Sequence, residues 1–212
     1  MRLRLTFSKD EAMRFTGHLD VQRTLERTLR RAQIPLRHTE GYHPRPKMHL
    51  AAALPLGCTG EAELAEVWLR EAWPPEKVLA ALQPVAPPGM HFHQVQPVPA
   101  DAPPLPNLVR AAEYQVTFLE PPPPLADRVA HLLAQPALKR VRHTKKGPRP
   151  YDLRPLILAL EVREDPPILQ MTLRAEPGAT GRPDEVLAAL EIPLEIARIH
   201  RTGLVLAEDE PS

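Results

Sequence analysis

Residues 97–106 read PVPADAPPLP, and half of those ten positions are proline. Each proline lacks a backbone N–H and holds φ near −65°, so the run can sustain neither a helix nor a paired central strand. It divides the 212-residue chain into two stretches, each near the lower size at which one hydrophobic core suffices. We expect a first domain at residues 1–98, a linker at 99–112, a second domain at 113–207 and an acidic tail at 208–212.

Both halves repeat one order of elements. In the first, Leu3, Leu5 and Phe7 alternate with Arg2, Arg4 and Thr6, the period-2 pattern of a strand with one buried face. A helix follows from Gly17 or His18 and stops before Pro35, with Val21, Leu25, Leu29 and Ala32 on one arc. Strands are expected at 48–53 and 61–69, a helix from Pro74-Pro75 to Leu82, and a strand at 90–98. The second half gives a strand at 114–119, a helix at 124–135 and the start of a strand at 138–142. A strand pair follows at 156–162 and 168–174, then a helix at 182–190 opened by Pro183 and a closing strand within 194–207. This order is β-α-β-β-α-β twice, so the expected fold class is α+β, with two tandem ferredoxin-like (βαββαβ) domains.

A formal net charge of +1 would ordinarily argue against a polyanionic partner, but the charge is segregated. Residues 14–47 hold eight Lys/Arg against three acids, and residues 139–154 hold seven against one. Arg23, Arg27, Arg30 and Arg31 lie opposite the apolar arc of the first helix. Past that helix, Gly41-Tyr42-His43-Pro44-Arg45-Pro46-Lys47 is a loop whose prolines restrict φ and whose glycine permits φ > 0. A second basic loop, Arg142-His143-Thr144-Lys145-Lys146-Gly147-Pro148-Arg149-Pro150-Tyr151, stands at the same place in the second half. Guanidinium and ammonium groups neutralise phosphates and release counterions, and Tyr42 and Tyr151 offer faces for unpaired bases. RNA fits better than duplex DNA, because nothing resembles a recognition helix built to read a major groove. The expected RNA-binding set is His18, Arg23, Arg27, Arg30, Arg31, Tyr42, His43, Arg45, Lys47, Arg142, Lys145, Lys146, Arg149, Tyr151 and Arg154.

No metal or cofactor is expected. The single Cys58 cannot pair within the chain or hold an iron–sulfur cluster alone, and it reads as a small buried residue. His91 and His93 share one side of a strand but lack a carboxylate to complete a metal set, so they read as a surface pair. Gly57 and Gly60 flank Cys58-Thr59 without the GK[ST] ending of a phosphate-binding loop. No apolar run reaches membrane-spanning length and no signal peptide is visible, so the expected compartment is a reducing cytoplasm with no membrane partner.

Phe7-Ser8-Lys9, Arg14-Phe15, His18-Leu19-Asp20, Arg27, Arg30-Arg31-Ala32, Ile34-Pro35, the 41–47 loop and Pro55-Leu56-Gly57 resemble the signature of the radical-SAM-linked family of bacteria, whose members occur alone or fused to cobalamin-binding radical-SAM proteins. Tyr151-Asp152-Leu153-Arg154-Pro155 fits as well. The chain departs from the pattern at Gly17, where the family tends to have Ser, and at His43-Pro44-Arg45-Pro46, where it tends to have Asn-Pro-His-Pro. The resemblance implies a radical-SAM protein as partner. The Cys-x-x-x-Cys-x-x-Cys motif of such enzymes is absent, so this chain would be an accessory.

The leading expectation is therefore a non-catalytic RNA-binding module that presents ribosomal or transfer RNA to a radical-SAM modifying partner. Two alternatives stand beside it. One is a metal-independent endoribonuclease of the tandem ferredoxin-like type, with His43 as general base; the other is an adaptor that docks on the radical-SAM enzyme without touching RNA.

Overall fold

The structure, a computed structural model, describes residues 1–144 and 147–207. Lys145, Lys146 and the acidic tail at 208–212 lie outside the described residues. The chain is a mixed α+β protein in which strands dominate, and it divides into two compact units. Among the described residues, the first holds Met1–Val109 and 206–207; the second holds Arg110–Val205.

The first unit runs β1 (Arg2–Lys9), α1 (His18–Arg31), β2 (Met48–Leu50), β3 (Thr59–Trp68), α2 (Pro75–Leu82) and β4 (Met90–Val98). Its strands lie in the order β4-β1-β3-β2, every neighbouring pair antiparallel. Alternation decides which side is core: Leu3 faces Val67 and Leu5 faces Ala65 on the buried side, while Arg2 faces Trp68 and Arg4 faces Glu66 on the other. Val21, Leu25 and Leu29 of α1 and Val78 and Leu82 of α2 complete the core with Phe7 and Phe92. Helix α1 starts at an extended Gly17 and stops where Gln33 takes φ 55°, just before Ile34-Pro35.

Opposite the core, Glu66 is fully buried and accepts from both Arg2 and Arg4, with Arg2 Nε at 2.9 Å. The Arg2 guanidinium also donates to the carbonyls of Ala102 and Pro103, each at 2.6 Å. The proline-rich run is thereby laid onto the first unit, and it ends in a single turn, α3 (Leu105–Leu108), whose Leu105 is wholly buried. A buried guanidinium needs acceptors, and a segment with few free N–H groups presents carbonyls in abundance.

The second unit contains β5 (Val109–Phe118), α4 (Leu125–Ala134), β6 (Lys139–Thr144), β7 (Gly147–Asp152), β8 (Ile157–Glu164), β9 (Pro167–Glu176), β10 (Ala179–Thr180), α5 (Pro183–Ala189) and β11 (Ala197–Leu206). The main strands follow the order β8-β9-β5-β11, with β10 pairing the far end of β9. Tyr114 faces Met171 and Ala112 faces Leu173 on the buried side. The strand anticipated at 138–142 does not join this sheet. It pairs with β7 as a separate two-stranded ribbon between α4 and β8.

Candidate nucleic-acid interface

The arginine face of α1 is less free than its sequence suggests. Arg23 pairs with Asp20 at 3.0 Å and Arg30 with Glu26 at 2.9 Å, both one helical turn away. Arg27 and Arg31 are exposed and have no ion pair or hydrogen bond among the described residues. Two of the four guanidinium groups are therefore uncompensated.

The loop after α1 is a small antiparallel arm. His38 bridges Pro46, the Lys47 amide donates to Arg37 O at 2.7 Å, and the Thr39 amide donates to Arg45 O at 2.8 Å. At its tip Gly41 has φ 132°, Tyr42 is 96% exposed, and His43 stands edge-on to Tyr42 with ring centroids 5.3 Å apart. Arg45 is exposed. Lys47 is not part of that display: its ammonium sits over the Trp68 ring at 4.9 Å.

His18 is half-buried. It lines a small cavity with Phe7, Lys9, Leu54 and Glu63, whose volume of about 10 Å³ has no room for a nucleotide inside it. The residues around it form an internal knot. Lys9 is 1% exposed and its ammonium donates to Arg14 O at 3.0 Å and Cys58 O at 2.9 Å; Arg14 Nε donates to Gly57 O at 2.7 Å. The Gly57 amide returns a bond to Arg14 O at 3.1 Å. Much of the sequence signature is thus an anchoring device, and it leaves Phe15, Leu19 and Leu56 exposed.

The ribbon gathers its groups on one face. Residues directly opposite in an antiparallel pair project to the same side, and here Arg140 faces Tyr151 while Arg142 faces Arg149. Three guanidinium groups and a phenol therefore share a face. Arg142 lies over the Tyr151 ring at 4.7 Å and donates to Thr180 O at 3.2 Å and to Glu185 at 3.3 Å. Its Nε, the Arg140 Nε and the Tyr151 hydroxyl are buried with no hydrogen-bond partner. Arg142, Arg149, Pro150, Tyr151, Asp152 and Leu156 line a cavity of about 550 Å³, bounded on one side by residues 178–180. Arg140 escaped the sequence-based set. The alternation within KRVRHT, which places 140 beside 142, was the signal that could have found it.

Arg154 belongs elsewhere. Its Nε and Nη1 donate to the carbonyls of Leu133 and Ile157, each at 3.3 Å, which ties the end of α4 to the start of β8. Asp152 closes the ribbon's base by accepting from the amides of Leu138 at 2.7 Å and Arg154 at 3.0 Å. A family signature, uncharacterized protein conserved in bacteria (DUF2344), matches residues 2–183. The chain belongs to that family. Both basic loops and the knot around Lys9 lie within the residues matched.

No curated protein matches the chain. Among solved structures, a chain of a Cbf5-Nop10-Gar1 complex is similar with a TM-score of 0.48 at 12% identity, over 95% of this chain. The match spans 48% of that chain, about half its length.

The outer face of the second unit's sheet is of another character. Glu113, Gln115, Glu161, Gln170 and Thr172 line a cavity of about 230 Å³ there. Glu113 and Glu161 give this cavity negative charge, which disfavours phosphate there. His91 pairs with Asp10 at 3.0 Å. Among the described residues, no three His, Cys, Asp or Glu side chains are grouped to hold a metal, and no helix is long and apolar enough to cross a membrane.

Proposed function

We propose that the chain is an RNA-binding accessory module built from two ferredoxin-like domains, which presents ribosomal or transfer RNA to a radical-SAM modifying partner. The domain assignment is supported by the order of strands: β4-β1-β3-β2 in the first unit and β11-β5-β9-β8 in the second are the same order of first, second, third and fourth strands. In this reading the β6–β7 ribbon is an insertion at the place where the first unit carries its 37–47 arm.

The observation that carries the RNA reading is the ribbon face, where Arg140, Arg142 and Arg149 converge with Glu185 as the one carboxylate bound to them among the described residues. Clustered guanidinium groups repel one another and leave donors unsatisfied, and a phosphate relieves both costs. Arg27, Arg31, Arg45 and Tyr42 form the corresponding exposed set in the first unit. The partner is implied by the sequence signature, and a specific feature favours a protein contact: Phe15, Leu19 and Leu56 are 75%, 64% and 66% exposed around the knot that the signature builds. That surface suits the radical-SAM protein, while the ribbon handles RNA.

Filter binding of a hairpin RNA across a salt series tests the reading. Affinity should fall as salt rises, with a log–log slope of about −0.7 per single-stranded phosphate neutralised. Arg27→Gln/Arg31→Gln should reduce that slope by roughly one to two, and Arg149→Gln by about one. Binding that is indifferent to salt and to all three substitutions would sink the proposal.

A further inference from the structure

Resting on the RNA-binding reading, we infer that the cavity beside the ribbon receives one unpaired RNA nucleotide. Its base stacks on the Arg142 guanidinium, and its phosphate meets Arg149. Arg142 is unusually well fixed for an arginine: Tyr151 backs one face at 4.7 Å, while Thr180 O and Glu185 hold its Nη2. Those contacts partly neutralise its charge, which suits it to be a plane for stacking more than a clamp for phosphate. Arg149, exposed across the ribbon, keeps its charge available.

Size and lining point to a single nucleotide. A volume of about 550 Å³ lies within the roughly 300–1,000 Å³ typical of small-ligand sites. Leu156, Pro150 and the Tyr151 ring supply an apolar wall against which a base can lie, and the Asp152 carboxylate, which also lines the cavity, is occupied by the Leu138 and Arg154 amides. Residues 178–180, from the edge strand β10, line the rest of the recess, and Thr180 O there already accepts from Arg142. A paired base cannot enter such a recess without leaving its stack, whereas a bulged one already has, so the cavity discriminates by pairing state.

The test compares two RNAs of identical stem, one fully paired and one carrying a single bulged 2-aminopurine. With the full chain, the bulged RNA should bind about tenfold more tightly, and the fluorescence of the 2-aminopurine should fall as it stacks. Ala179→Leu fills the cavity from the two-residue edge strand without changing charge. It should abolish the preference and the fluorescence change while leaving affinity for the paired stem intact. Equal, salt-sensitive binding of both RNAs by the unmodified chain overturns the single-nucleotide site and leaves the RNA reading standing; binding of neither removes both.

Discussion

Arg140 stands directly across the β6–β7 ribbon from Tyr151, and the two side chains leave the ribbon on the same side. Each carries a buried polar atom without a partner, the Arg140 Nε and the Tyr151 hydroxyl. An unsatisfied buried hydroxyl costs about 1–3 kcal/mol. Tyr151→Phe removes that cost and keeps the ring under Arg142. Its thermal midpoint, measured by differential scanning fluorimetry, should rise by roughly 2–4 °C for each kcal/mol recovered. RNA affinity should change by less than about twofold, since stacking needs the ring alone. A lower midpoint would mean that the hydroxyl is in fact bonded.

How much of this was legible in the sequence depends on the range of the interaction. The buried arc Val21, Leu25, Leu29 and the alternation of Leu3, Leu5 and Phe7 are local periodicities, and the structure places them in the core. The ribbon was half legible: KRVRHT alternates like a strand, but nothing local says that it pairs with a proline-bearing β7 instead of joining the sheet. Direction was the least legible quantity. His18 and Arg154 sit in basic surroundings in sequence, yet one is half-buried beside a small cavity and the other bonds two carbonyls. The group that half-neutralises Arg142 is Glu185, 43 positions along the chain, and no local pattern announces it. Composition counts charges, whereas folding decides which of them reach water.

His49 couples the first unit to pH. It lies edge-on to Trp68 at 5.0 Å, and its Nδ1 is buried without a partner. Burial is the main cause that lowers its pKa from the ordinary value of 6.5; Glu66 opposes the shift, while Arg2 and Lys47 reinforce it. A histidine with a depressed folded pKa binds fewer protons folded than unfolded. Its contribution is therefore present above pH 6.5 and is lost as pH falls through 6.5 towards the folded value. Thermal midpoints should drop between pH 7.5 and pH 5.5, and His49→Gln should flatten that part of the profile. A substitution that leaves the slope unchanged would place the titration on another group.

In the proposed RNA-binding reading, Arg154 serves the fold and Arg149 meets phosphate. Both fall in the same basic stretch, but Arg154 spends its guanidinium on Leu133 O and Ile157 O, while Arg149 is exposed at the cavity. Arg154→Gln removes two charge-assisted donors to carbonyls at the end of α4 and the start of β8. Each such bond contributes about 1.5–3 kcal/mol at best, and 3.3 Å places these two at the weak end. A loss near 1–2 kcal/mol should lower the thermal midpoint by about 2–8 °C. The salt slope of RNA binding should remain that of the unmodified chain, because no phosphate contact has been removed. Arg149→Gln should do the reverse, leaving the midpoint within about 1 °C and flattening the slope. Parallel melting curves and salt titrations of the two variants read out the exchange, and a shallower slope in Arg154→Gln would return that residue to the binding surface.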